Sequence, residues 1–211
     1  MAITNGYATL DEVRRRIPHI KDDDDSDLES VIEGVSRYVD KNRGRRFYAA
    51  TETRYYVPAS RDLVVVDDLL SLTTLKTDTT GDGTFDQTWT SSDYLLVPYN
   101  AATDGRPYTS IERAFQGTLL FPMGSRRDRA SRRSSVGFRS VQVVGSFGYS
   151  ATTPKAIHEA CVLLSMRLFE RRKALFGYQL LSPTEVAEVV PLSMDSELQA
   201  MLNTIPIRWT K

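Results

Sequence analysis

Ser26-Asp27-Leu28-Glu29-Ser30-Val31-Ile32-Glu33-Gly34-Val35-Ser36-Arg37-Tyr38-Val39 is the stretch on which the fold turns, because its apolar residues recur at three and four. That period belongs to a helix with one buried face. Ser26-x-x-Glu29 has the form of a capping box for its start, and Gly44 is a natural stop. Upstream, Thr9-Leu10-Asp11-Glu12 offers a second box for a short helix that Pro18 ends. Downstream, Thr153-Pro154 opens another long helix, in which Ile157, Ala160, Cys161, Leu164 and Leu168 repeat at helical spacing toward Ala174, with Gly177 beyond.

Between the two long helices the period changes to two, and the residues become β-branched and aromatic. The strands expected there are Thr53 to Val57, Leu63 to Val66, Leu72 to Thr77, Phe85 to Thr90, Tyr94 to Val97, Tyr108 to Arg113 and Val136 to Phe147. Asp82-Gly83 is a hairpin candidate, since its glycine can take positive φ. The fold class read from this order is α+β. Residues 1–50 with 150–177 form a small helical core of two long antiparallel helices and a short N-terminal one, and 51–149 form an inserted antiparallel β-rich lobe.

Residues 178–211 read as an extended C-terminal arm, broken by Pro183, Pro191 and Pro206. Within it Leu198, Met201, Leu202 and Ile205 share a helical face, and Trp209 follows. Such a segment cannot build a core alone. It must either fold back on the domain or dock on a neighbour, and proline punctuation favours the arm, which makes these five residues the expected partner-binding anchors.

Twenty-seven Lys and Arg balance 27 Asp and Glu, so the whole-molecule field attracts neither nucleic acid nor anionic lipid. The charges are segregated, however. Asp22 to Asp25 with Asp27 form an acidic run suited to a helix N-terminus. Arg126, Arg127, Arg129, Arg132 and Arg133 crowd one Ser-rich stretch, readable as a solvated loop, an acidic-partner contact or a phosphate contact.

Catalytic and metal chemistry find little support. His158 and Cys161 share a helical face, but Cys161 lies in the apolar stripe and reads as a small core residue. Asp78, Asp82 and Asp86 around Gly81 and Gly83 miss the calcium-loop register, because Trp89 stands where the bidentate Glu belongs; turn chemistry explains them. Tyr55, Tyr56 and Trp89 fit sheet packing. No enzyme, cofactor or metal is expected. One cysteine permits no internal disulfide and fits a reducing compartment. Met1 to Leu10 lacks the form of a secretory signal, and no run reaches the roughly 20 apolar residues of a membrane span, so the expectation is a protein neither exported nor inserted.

Several short pieces, taken in order, resemble one family. They are Tyr7-Ala8-Thr9-Leu10-Asp11-Glu12-Val13, Ser36-Arg37-Tyr38-Val39-Asp40, Gly44-Arg45-Arg46-Phe47-Tyr48, Thr53-Arg54-Tyr55-Tyr56 and Leu75-Lys76-Thr77-Asp78 with Gly81-Asp82-Gly83-Thr84. Asp104-Gly105-Arg106-Pro107-Tyr108, Gly145-Ser146-Phe147-Gly148-Tyr149 and the helix from Pro154 to Arg172 complete the set. The family is the head-tail connector, or head-completion adaptor, proteins of long-tailed double-stranded DNA phages. The resemblance implies a non-enzymatic virion subunit, assembled in the host cytoplasm, that forms a commonly dodecameric ring at the head-tail interface. It further implies the portal protein and a stopper or tail-completion protein as partners, a central channel that passes DNA, and C-terminal arms that grip the portal. Rival readings are a tail-completion protein and a DNA-binding protein that uses the Arg-rich stretch.

Overall fold

The computed structural model describes residues 3–17, 20, 22–123, 139–171, 178–179, 188–189 and 196–208. The chain divides into two compact units, one made of Met1–Arg45 with Thr153–Lys211 and the other of Arg46–Thr152. Helices and an antiparallel sheet make the class α+β. Among the described residues no helix is long and apolar enough to cross a membrane.

In the first unit α1 spans Leu10–Arg16 and carries the expected box: the Glu12 N–H donates to Thr9 Oγ1 at 3.3 Å, and the Thr9 N–H to Glu12 Oε2 at 2.9 Å. The second box does not form. Helix α2, Asp25–Arg43, follows a single 3-10 turn at Asp22–Asp24, and its cap residue Asp24 makes no side-chain capping bond. Asp25 and Asp27 instead place carboxylates in the first turn, where the helix dipole favours them. Leu28, Ile32, Val35 and Val39 are buried as the period requires, while Tyr38, counted in the same stripe, is 46% exposed. Gly44 ends the helix in the left-handed region, φ 61°, where a Cβ would lie 2.5 Å from the Arg208 carbonyl oxygen.

Helix α3, Lys155–Arg171, buries Ile157, Ala160, Cys161, Val162, Ser165 and Phe169, a wider face than the sequence stripe, and it leaves Leu168 43% exposed. The reason is that α1, α2 and a C-terminal helix, α4 (Ser196–Asn203), all pack against it.

Among its described residues the second unit holds a six-stranded antiparallel sheet. Its strands are β1 (Ala50–Tyr56), β2 (Leu63–Thr77), β3 (Gln87–Trp89), β4 (Tyr94–Val97), β5 (Tyr108–Arg113) and β6 (Val141–Phe147). They run β1-β6-β2-β5-β4, with β3 on β2. The two strands expected at 63–66 and 72–77 are one strand of 15 residues, whose first half pairs β5 and second half β6. Register shifts between Val65 and Leu69, Leu69 and Ser71, and Leu72 and Thr74 let it serve both. A close approach explains Gly145, where a Cβ would meet the Ser71 carbonyl oxygen at 2.3 Å. Val64, Leu69, Leu75, Ile111, Val143 and Phe147 fill the core with Trp89 and Phe121, whose rings stack at 4.3 Å.

Asp82-Gly83 is not a two-residue hairpin. The connection from β2 to β3 spans 78–86, wound around the buried Asp78 carboxylate, which accepts from the Thr80, Gly81 and Gly83 N–H groups at 2.7 to 3.1 Å. A two-stranded pair, β7 (Tyr178–Gln179) with β8 (Glu188–Val189), falls in the segment read as an extended arm.

Candidate functional site

The expected arm anchors are where the structure departs furthest from the sequence reading. Leu198 and Leu202 are 1% exposed and Ile205 is 5% exposed, buried within their own unit, where α4 packs on α3. Met201 is half-buried, and Trp209 lies outside the described residues. Polar bonds hold the segment as well. Arg43, at the end of α2, is itself buried and donates to Asn203 Oδ1 at 3.1 Å and to the Ile205 carbonyl at 3.5 Å, while the Arg208 N–H donates to the Arg43 carbonyl at 3.0 Å. The physical reason is plain: amphipathic spacing requires that a face be covered but does not say by which molecule. Here α3 packs against α4 and Arg43 at the end of α2 bonds to the segment, so α4 completes its own unit's core.

Arg126, Arg127, Arg129, Arg132 and Arg133 fall outside the described residues. Of the described residues on either side, the Ser140 hydroxyl donates to the Pro122 carbonyl at 2.7 Å.

His158 and Cys161 are not a catalytic pair. His158 Nε2 lies 3.2 Å from Glu12 Oε2, joining α3 to α1, and Arg16 makes a two-bond ion pair with Glu159 at 2.8 and 3.0 Å. Glu12 is pulled down to about 2, chiefly by the Thr9 backbone and hydroxyl bonds. Cys161 is fully buried against the Ser36 hydroxyl at 3.5 Å, and burial pushes its thiol up, away from the reactive thiolate. Asp78 spends its oxygens on loop amides, Asp82 accepts from the Thr84 N–H at 2.7 Å, and Asp86 accepts from Thr79. Among the described residues no group of His, Cys, Asp or Glu is placed to hold a metal ion.

A charged network missed by sequence reading links β1 to β2. Arg54 bridges Glu52 at 2.8 Å and Asp67 at 2.6 Å, Arg46 joins Glu52 at 2.5 Å, and the Arg54 guanidinium lies 4.5 Å over the Phe147 ring. The Tyr56 hydroxyl donates to Asp67 Oδ2 at 3.0 Å, and burial followed by the Asp67 charge pushes it up to about 12. A tyrosine held so far above neutrality is a hydrogen-bond donor, not a base. The alternating Glu52, Arg54 and Tyr56 were visible in the sequence, but their partner Asp67 lies on β2, with β6 between the two strands in the sheet.

No family model matches the chain, and no curated protein matches it. Solved structures do, among them the following two. One is a chain from the neck of an empty gene transfer agent particle, computed with C6 symmetry: 17% identical, TM-score 0.55, aligned over 100% of this chain and 95% of that one. The other comes from the virion of a native gene transfer agent particle: 15% identical, TM-score 0.55, with the same coverage. At these identities the likeness is one of fold, and it takes in the helical and the β unit together.

Proposed function

We propose that this chain is a structural virion protein, a head-tail connector subunit that forms a ring beneath the portal, joins the head to the tail, and leaves a central channel for DNA. The observation that carries the reading is the likeness of fold along the whole chain to a chain from a particle neck. A neck with six-fold symmetry accommodates copies in multiples of six, and the twelve implied by the family resemblance is one of them. Segregated charge on a neutral chain supports it, since a head-to-tail ring needs two different, complementary surfaces on each copy. In this reading the helical unit is the adaptor core, the portal and a stopper or tail-completion protein are the partners, and the virion neck is the location.

The C-terminal segment takes a different part from the one its sequence suggested. Leu198, Leu202 and Ile205 serve the subunit's own core, so among the described residues of the segment half-buried Met201 and exposed Ile207 are the apolar side chains left for a grip on the portal, with Trp209 outside that set. The five clustered arginines favour one second reading, contact with the DNA backbone, and a salt series separates the two: phosphate contact weakens steeply with salt through counterion release. Co-sedimentation with portal rings tests the main proposal. Saturable, stoichiometric capture of the chain is expected, and a chain left entirely in the supernatant overturns it.

A further inference from the structure

At the end of α2 a positive charge is buried with no negative one beside it. Arg43 is 7% exposed, and its donors meet neutral oxygens: Nε donates to Asn42 Oδ1 at 2.9 Å, Nη2 to Asn203 Oδ1 at 3.1 Å and Nη1 to the Ile205 carbonyl at 3.5 Å. An arginine covered this deeply is ordinarily paired with an acid, because taking a guanidinium out of water is costly. Among the described residues none pairs with it. Asp40, one turn earlier on α2, is engaged by the Tyr7 hydroxyl and by Arg37. The surrounding sequence is Lys41-Asn42-Arg43-Gly44-Arg45, and residues 198–208 carry no carboxylate.

Arg43 shares an open pocket of about 270 Å³ with Tyr38, Asn42, Gln199 and Asn203. Those four are exposed, so the guanidinium lies recessed beneath a polar rim. The two asparagine amides can be oriented from chemistry alone: a guanidinium only donates, so each Oδ1 faces Arg43. Their NH2 groups are left over, with no bond to a described residue, on side chains that line the opening. A buried cation with spare N–H donors around it suits an anion that offers oxygens. A carboxylate ends its side chain and reaches a recessed floor, whereas a phosphodiester is flanked by sugar on both sides.

We propose that this pocket binds one carboxylate, held by Arg43 and by the amide groups of Asn42 and Asn203. Two sources share that chemistry, an Asp or Glu side chain of a neighbouring protein and a small free acid. The site does not depend on the connector reading.

Acetate, titrated into the full chain against chloride at equal ionic strength, tests it by nuclear magnetic resonance. The Arg43 Nε–H and the Asn42 and Asn203 side-chain NH2 signals should move saturably, while the β6 amides stay in place. Asn42→Asp and Asn203→Asp each keep an acceptor for Arg43 and put a carboxylate into the pocket from within. Both should keep the wild-type circular dichroism and bind acetate about tenfold more weakly or worse, the effect of losing one charge-assisted hydrogen bond. Capture by portal rings separates the sources: a comparable drop in both variants identifies an acidic side chain of the portal, and unchanged capture beside lost acetate binding identifies a free acid. Wild-type signals that ignore acetate, or variants that bind it as wild type does, overturn the site. A stronger response of the same signals to a short DNA duplex than to acetate also overturns it, since phosphate is then what the pocket takes. A wild-type chain that no portal captures removes the connector reading and leaves the acetate titration to decide this one.

Discussion

Replacing Leu202 by Ala asks whether the C-terminal helix belongs to the subunit core. Leu202 and its helical neighbour Leu198 are each 1% exposed, on a helix that Arg43 and the Arg208 N–H clamp to the end of α2. Truncating a fully buried leucine removes its transfer free energy and leaves a cavity, together about 2–5 kcal/mol. At roughly 2–4 °C per kcal/mol for a chain of this size, a loss of about 3 kcal/mol lowers the melting point by about 6–12 °C. The assay is urea unfolding followed by circular dichroism at the helix band, with Ile207→Ala, at a position 41% exposed, as the control. The control should stay within about 0.5 kcal/mol of wild type, as surface substitutions do. If Leu202→Ala costs no more than the control, α4 is a detached arm after all and the core assignment is wrong.

Three further outcomes follow from the same geometry. Arg43→Met removes the bonds to Asn203 and the Ile205 carbonyl while keeping most of the buried stem, so hydrogen exchange of α4 amides should rise by the equivalent of about 1–3 kcal/mol, with no change in the β6 amides. Trp89→Ala empties the stack on Phe121 and should cost about 3–5 kcal/mol in denaturant unfolding, together with most of the near-ultraviolet dichroism of the β unit. Glu12, held down to about 2 from 4.5, contributes stability that is present above the unfolded value and is lost as pH falls from 4.5 toward 2. Glu12→Gln, which keeps a side-chain acceptor in the capping box, should flatten that part of the melting-point profile, and an unchanged acid slope would contradict it.

Local chemistry made much of the fold legible. The Thr9-Glu12 box, the Gly44 stop and the bounds of β4 and β5 are each set by side chains within a few residues, so spacing alone finds them. What escaped depends on distant partners. Two apolar runs on either side of Asp67 and Asp68 look like two strands, yet β5 and β6 pair successive halves of one bent strand. Ser26 has the right spacing for a cap, but the preceding acidic turn starts the helix earlier. Most instructive is α4: Leu198, Leu202 and Ile205 announced a covered face correctly, and the prolines around it suggested the wrong cover. Phe115, 96% exposed just past the strand that ends at Arg113, drew no notice in the sequence, because an isolated aromatic there does not say whether it is covered.

Electron cryomicroscopy of the full chain mixed with its portal rings tests the central claim most directly. The connector account predicts a second ring seated on the portal, with rotational symmetry and an open axial channel. Bare portals beside a free protein of 23.8 kDa would contradict it.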